Sequence, residues 1–214
     1  MSLKIAVRGH AVRVYPADVA NVSLTIDAQG ADRDEVLASA TAAHVHVSER
    51  LAALQGAGAV VHWSADSVRV VAERPWNPEG KQSELVQHAR MAVRAEFQDV
   101  VELSVFIAEV SANELVEVGS VVWDVTSENR RLFTADVRAE AVADAVAKAQ
   151  AYADAIGAGP VEATHLADPG MLADNSPSPR VMMAMASAAS DAPGMTFVPD
   201  DITIRCEVDA RFKA

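Results

Sequence analysis

The sequence predicts an α+β fold in which largely antiparallel sheets are packed by two long helices and one short helix. Residues 32–55 and 127–157 repeat apolar side chains at spacings of three and four, which is typical of amphipathic helices. Several other segments alternate apolar and polar residues, as strands with one wet face do. The chain has 214 residues, of which 50% are hydrophobic, so we expect a single domain with a well-buried core over residues 1–214.

The first two strands are predicted at residues 4–14 and 20–26. A turn at residues 15–18 separates them, and we expect them to pair as a hairpin. In the first strand the apolar positions change parity around Gly9 and His10. This change predicts a β-bulge, which would return the apolar side chains to the core.

The first long helix begins at a capping signal, Asp32 with Glu35 three residues later. It ends at Gly56-Ala57-Gly58, because glycine adopts the left-handed cap geometry at little cost. A single strand is predicted over residues 60–72. The apolar stripe of the helix contains Val36, Ala40, Ala43, Val47, Leu51 and Leu54.

The middle of the chain adds a loop, a strand, a short helix and a further strand. The loop, at residues 73–83, is rich in Pro and Gly and places Trp76 for an exposed contact. The strand at residues 89–97 has one wet face, which carries Arg90 and Arg94. Asp99 begins the short helix, which runs to about residue 112, and a strand follows at residues 116–125.

The second long helix covers residues 127–157, and its predicted stripe is rich in alanine, which allows close packing against a sheet. Like the first long helix, it ends in Gly-Ala-Gly and leads into a strand. This match indicates either a duplicated helix–strand unit or chance in an alanine-rich chain. The stripe contains Leu132, Ala135, Ala139, Val142, Val146, Ala149, Ala153 and Ile156.

A short strand at residues 161–166 precedes a long mobile loop, predicted at about residues 168–199, and a final strand at residues 202–212. The loop contains the methionines Met182, Met183 and Met185. Their thioethers would suit Cu(I), an oligomer or partner contact, or plain packing, and we favour plain packing.

The chain is acidic, with a formal net charge of −12. Because phosphate binding needs a basic surface, we expect neither nucleic acid nor an anionic membrane as the main partner. No apolar run approaches the roughly 20 residues that span a bilayer, so no membrane insertion is expected. The N-terminus lacks the apolar core of a signal peptide, which predicts a cytoplasmic protein, or a periplasmic or secreted one if a native leader has been removed.

No motif predicts catalysis, a metal or a cofactor. The six histidines are scattered, without an HExxH or a Cys/His zinc spacing, and there is no GxSxG elbow or P-loop. Cys206 is the only cysteine, so an internal disulfide is excluded and a buried, inert thiol is expected.

The clearest candidates for an interaction surface are charged residues that share the wet parity of their strands. If the strands at residues 89–97 and 202–212 are neighbours, these residues form one charged sheet face, on which cross-strand ion pairs are favoured over an anion site. The residues are Arg90, Arg94, Glu96, Arg205, Glu207, Asp209 and Arg211.

Four segments resemble the SIMPL-domain family. Residues 7–11, VRGHA, and 15–20, YPADVA, are similar to the opening V-x-G-x-G … P-D-x-A pattern of the family, although Ala11 replaces a common glycine and Ala17 separates Pro16 from Asp18. The alanine-rich helix ending in Ile156-Gly157 and the Met/Pro loop are also similar. Residues 198–203, VPDDIT, resemble the P-x-x-I-x-V entry to the last strand. The likeness spans about residues 4–212.

The resemblance implies an α+β domain with helices on a largely antiparallel sheet, a homo-oligomer and no established enzyme activity. Members of the family include a bacterial periplasmic antigen, an oxidative-stress-linked protein and homologues of a kinase-interacting protein, so a link to the stress response is also implied. Our first hypothesis is therefore a non-enzymatic, self-assembling protein. The alternative is a module that binds a small ligand or a protein partner through the charged sheet face or the Trp76 loop, and an enzyme is the least favoured interpretation.

Overall fold

Eight strands and three helices are present in the residues that the computed structural model describes, which are 3–74, 84–172 and 197–214. The strands form two antiparallel sheets, so the predicted α+β class is confirmed. The elements belong to two compact units. In chain order they are β1 (Lys4–Pro16), β2 (Val19–Gly30), α1 (Arg33–Gly56), β3 (Val60–Ala65), β4 (Arg69–Glu73), β5 (Val86–Phe97), α2 (Val100–Val110), β6 (Val116–Asp124), α3 (Ser127–Ala155), β7 (Glu162–Ala167) and β8 (Asp201–Lys213).

The first unit contains β1, α3, β7 and β8. β1 and β8 pair along their whole length, from Lys4 opposite Lys213 to Pro16 opposite Asp201, and β7 pairs with the other side of β8. α3 packs on this three-stranded sheet, and Cys206 is half-buried beside the core between them. The core contains Ile5, Ala141, Ala145, Ala149, Ala153, Val208, Ala210 and Phe212.

The predicted hairpin of the first two strands is wrong, because β1 pairs with β8 whereas β2 pairs with β5 and β6. The predicted bulge in β1 is also wrong, since its register with β8 runs through Gly9 and His10 without a shift. Val12 and Val14 lie on the exposed side of the strand, which explains the change of apolar parity. Gly9 is required for space: a Cβ there would lie 2.0 Å from the carbonyl oxygen of Ala141 in α3.

The second unit contains β2 to β6, α1 and α2. Its sheet has the order β3-β5-β2-β6, and β4 also pairs with β5. Because β2 occupies the other side of β5, β3 and β4 lie one after the other along the same side. The single strand predicted over residues 60–72 is therefore two strands, separated by residues 66–68.

The two helices of the second unit lie where the sequence predicts them. α1 buries all six residues of its predicted stripe, and its N-cap Asp32 accepts hydrogen bonds from two backbone N–H groups. Asp99 caps α2 in the same way. α2 forms despite its β-branched residues because its apolar side chains are buried; for example, Phe106 packs on Phe97 of β5 with 5.2 Å between ring centroids.

α3 also lies where predicted, but its predicted apolar stripe is largely wrong. Leu132, Val146 and Ile156 are 57%, 42% and 63% exposed. The buried residues follow a strict spacing of four instead, and only Ala149 and Ala153 belong to the predicted set. They are Val137, Ala141, Ala145, Ala149 and Ala153. Across the described ranges, no helix combines the length and the apolar character that crossing a membrane requires.

Candidate functional site

The five-stranded sheet has a polar face, opposite its buried side, which we call the open face. On β2 and β5 the polar side chains alternate with buried apolar ones. Asn21 lies opposite Glu96, Ser23 opposite Arg94, and Asp27 opposite Arg90. On the outer side of β5, β3 places His62 opposite Glu96 and Ser64 opposite Arg94. The open face thus arranges polar groups in rows that run across three strands.

A hollow of about 410 Å³ lies on the open face, and we call it the central trough. Most of the residues that line it are polar, and three of them are serines that are too small to fill the space between longer neighbours, but the surface exposed to the trough is largely apolar. The residues that line it are Asn21, Val22, Ser23, His62, Ser64, Arg94, Ala95, Glu96, Ser120 and Val122. The volume falls within the range of ordinary small-ligand pockets, which is roughly 300–1,000 Å³.

A β-bulge between β2 and β6 forms one end of the central trough. The register of the two strands shifts between Val22 and Leu24, so Gly119 and Ser120 both lie near Ser23. The Ser120 N–H donates to Ser23 Oγ at 3.0 Å. A Cβ on Gly119 would lie only 2.8 Å from that oxygen. The glycine therefore leaves room for the serine contact.

Arg90 and Arg94 are four residues apart on β5 and lie on the same face of the sheet, but they have different neighbours. Arg90 Nε donates to Asp27 Oδ2 at 3.2 Å, and this hydrogen bond raises the pKa of the Arg90 guanidinium. The residues opposite Arg94 are serines on both sides. Its only ion pair in the described residues is with Asp66 at 3.7 Å, and both side chains are more than half exposed. Arg94 is thus the less neutralised of the two arginines.

A second hollow of about 350 Å³ lies around the Arg90 end of the open face. Arg69 on β4 lies opposite Arg90 there. Asp27 Oδ1 is buried and has no hydrogen-bond partner among the described residues, although His88 Nδ1 is 3.7 Å away. One oxygen of the Asp27 carboxylate therefore already accepts hydrogen bonds from Arg90, so these two residues form an ion pair within the protein at this end of the face.

The condition for a single charged face, that the two strands are neighbours, is not met, because β5 and β8 lie in different sheets. Arg90, Arg94 and Glu96 belong to the open face, whereas Glu207 and Asp209 of β8 form ion pairs with Arg8 of β1 in the other sheet. There, Arg8 Nε donates to Asp209 Oδ1 at 2.7 Å. This hydrogen bond, with a further one from the Gly170 N–H, lowers the pKa of Asp209. Two of the four predicted charged residues of β8 thus form cross-strand ion pairs, whereas Arg211 donates to the carbonyl oxygen of Leu172.

The remaining predicted interaction residues, Trp76, Met182, Met183 and Met185, lie outside the described residues. Within the described ranges, no three His, Cys, Asp or Glu side chains converge as a metal site requires. The sequence indicated Arg90, Arg94 and Glu96, but it gave no signal for the polar groups on β2, β3 and β6. Those become neighbours of Arg94 only through strand pairing.

The edge of β1 that does not pair with β8 is covered by side chains from α3. The Lys148 ammonium donates to the Arg8 carbonyl oxygen at 3.0 Å, and the His10 N–H donates to Asp144 Oδ2 at 2.8 Å. The hydrogen bond from Lys148, followed by that from His10, lowers the pKa of Asp144. Two backbone groups at the middle of this edge are thus satisfied and are not available to another strand.

The edge at β6 differs from the edge at β1. Among the described residues β6 pairs with β2 alone. It has nine residues, and five of them are of high β-propensity. Because Ser120 donates its N–H toward β2, the N–H of the next residue, Val121, points to the unpaired edge. Val122 is 52% exposed on the open face. Among the residues that the structure describes, no second strand pairs with β6 at Val121, and the exposed apolar side chain of Val122 lies beside this position.

Comparison with known proteins gives one family. A search of curated proteins finds no match. The model of the SIMPL family, described as a protein of unknown function (DUF541), matches residues 5–212. The match begins in β1 and ends in β8, so it covers every strand and helix described above. With nearly its whole length matched, the chain belongs to the SIMPL family.

Proposed function

We propose that this chain is a non-enzymatic protein that associates with copies of itself through β6. The observation that carries the proposal is the unpaired edge of β6 in the second unit. An edge strand presents a row of N–H and C=O groups that another strand can pair with, and many proteins recognise one another by such strand addition. In this chain the added strand would be β6 of a second copy.

The charges along β6 support pairing with a second copy. The net charge of −12 makes the copies repel each other, so an interface must avoid placing like charges together. β6 carries its carboxylates near its two ends, at Glu117 and Asp124, with uncharged residues between them. When two β6 strands align antiparallel and centre to centre, each carboxylate falls opposite an uncharged residue of the other copy. Like charges directly opposite would be destabilising.

The other edges are less suited to this role. The middle of β1 is covered by Lys148 and Asp144 of α3. β7 has only six residues, and its register with β8 is irregular. β3 and β4 are two short strands that follow one another along the same side of β5, so neither forms a long continuous edge. β6 is therefore the longest of the edges that lack such protection.

The test replaces Val121 with proline and, as a matched control, with threonine. Proline removes the N–H that points to the unpaired edge, whereas threonine keeps it at a similar side-chain volume. Size-exclusion chromatography with light scattering should show an oligomer for the wild type and for Val121→Thr at micromolar concentration. Val121→Pro should shift to the monomer, and circular dichroism should confirm that it is folded.

Two results would contradict the proposal. One is a wild type that is monomeric throughout the concentration series. The other is a folded Val121→Pro protein that keeps the oligomer of the wild type. If Val121→Pro does not fold, Val122→Lys replaces it, because a lysine on an exposed edge strand opposes pairing without removing a backbone group.

A further inference from the structure

We infer that the central trough binds a small zwitterion, a molecule that carries a carboxylate and an ammonium group several ångströms apart. This inference concerns the open face and is independent of the association proposed for β6. It rests on two neighbouring rows of the sheet. One row holds a cation, Arg94, whose ion pair with Asp66 is longer than a hydrogen bond and exposed. The next row holds a carboxylate, Glu96, that has no ion pair among the residues that the structure describes.

The cationic row consists of Ser23, Arg94 and Ser64, which lie side by side on β2, β5 and β3. Arg94 is 64% exposed and lies 3.7 Å from Asp66, farther than a hydrogen bond. Ser64 makes no side-chain hydrogen bond within the described residues. A ligand carboxylate would therefore find a guanidinium fork with a hydroxyl donor beside it, a favourable geometry for a carboxylate.

The anionic row consists of Asn21, Glu96 and His62 on the same three strands. In the described part of the chain, none of these three side chains forms a hydrogen bond or an ion pair. Elsewhere on the same face, Asp27 is bound by Arg90. Glu96 is thus a carboxylate without a counter-ion beside a hollow, and a ligand ammonium group would supply one.

The spacing of the rows sets the length of the ligand. Arg94 and Glu96 are two residues apart on one strand, so their Cα atoms are separated by roughly 6.6–6.8 Å. A chain of four methylenes separates an amine from a carboxyl carbon by about 6 Å, from ordinary bond lengths. The trough has room for such a molecule at about 410 Å³. A dianion is disfavoured because Glu96 would repel its second charge.

The test measures binding of 5-aminopentanoate to the full chain by NMR titration. Because the trough is open to water, we expect weak, saturable binding with a Kd of about 1 mM. Arg94→Gln and Glu96→Gln should each weaken binding about tenfold or more, since each removes a charge-assisted contact. The matched control is Arg90→Gln, which removes the same charge from the same face of β5. It should change the Kd by less than about twofold because Arg90 is already bound to Asp27.

Pentanoate and pentylamine, each with one of the two charges, should bind about tenfold more weakly than 5-aminopentanoate. Three results would overturn the inference. The first is the absence of saturable shifts at the trough residues of the wild type. The second is an equal loss in Arg90→Gln and Arg94→Gln, which would show a general charge effect. The third is equal binding of pentanoate and 5-aminopentanoate, which would leave Glu96 without a role.

Discussion

Replacing Gly9 with alanine would test the close packing of α3 against β1. The added Cβ would lie 2.0 Å from the Ala141 carbonyl oxygen and 2.8 Å from the backbone nitrogen of Ala145. Both atoms belong to the helix backbone, so no side-chain rotation relieves the contact. To restore an ordinary separation of 3.4 Å, the helix and the strand must move apart by about 1.4 Å.

The loss of stability follows from the core packing that such a movement would loosen. Four alanines of α3 are fully buried in the core beside Gly9. A gap of 0.5–1 Å already forfeits a quarter to a half of the dispersion contact, and complete loss would cost about 0.8 kcal/mol for each methyl group. Overpacking of this kind usually costs about 1–3 kcal/mol. We therefore expect Gly9→Ala to lower the free energy of unfolding by about 2–3 kcal/mol.

Urea unfolding followed by circular dichroism would measure the change. In a thermal scan the expected loss corresponds to a Tm lowered by roughly 4–12 °C for a chain of this size. Gly56→Ala is the matched control, because a Cβ at Gly56 meets no atom within 4 Å. It should leave stability unchanged or raise it by up to about 1 kcal/mol. A Gly9→Ala protein as stable as the wild type would refute the close-packing argument.

Three further predictions address other features. Gly119→Ala should lower the free energy of unfolding by about 1–2 kcal/mol, because the added Cβ would meet Ser23 Oγ first. Adding Ser23→Ala to this variant should recover part of the lost stability, and a double-mutant cycle measures the coupling between the two positions. The folded-state pKa of Asp209 is lowered, so its contribution is present above the unfolded pKa and lost as the pH falls through the folded value. Asp209→Asn should thus be less stable than the wild type at pH 7, and urea titrations below about pH 4 should show the gap closing. Ala149→Leu should destabilise by about 1–3 kcal/mol, whereas Val146→Ala, at an exposed position of the same helix, should change stability by less than about 0.5 kcal/mol in the same assay.

The two long helices show what a sequence pattern can and cannot predict. In α1 the apolar stripe contains valines and leucines that contrast with polar neighbours, and its burial is predicted completely. In α3 alanines occur on several faces, so the pattern lacks contrast. The larger apolar residues then determine which stripe is predicted to be buried, although they are exposed in the structure. They are Leu132, Val146 and Ile156. The buried stripe is set by the surface that fits the strands, with Gly9 allowing close approach.

Strand positions were predictable where strand partners were not. Alternation is a local property, and it locates most of β2, β5 and β8. Pairing depends on distant segments: Lys4 lies opposite Lys213, and no local pattern in β1 encodes that partner. The interpretation of Gly9 as a bulge fails for the same reason. A glycine in a strand marks either a bulge or a close approach, and only the packed structure distinguishes the two.

The candidate site was predictable only in part. Arg90 and Arg94 share the wet parity of β5, and nothing in the local sequence separates them. Their difference comes from β2, which places Asp27 opposite one and Ser23 opposite the other. The sequence thus locates the polar face, whereas the register of a second strand determines which of Arg90 and Arg94 has a carboxylate directly opposite it.

The pairing of β1 with β8 also bears on how the chain folds during synthesis. β1 leaves the ribosome first, but its partner is made about 200 residues later. The sheet of the second unit needs only residues 19–124, so it can form while β1 still waits for its partner. During that interval Ile5, which is buried in the finished core, has no strand to pack beside. The first unit is therefore the last to close, and β1 is the strand that remains longest without its partner.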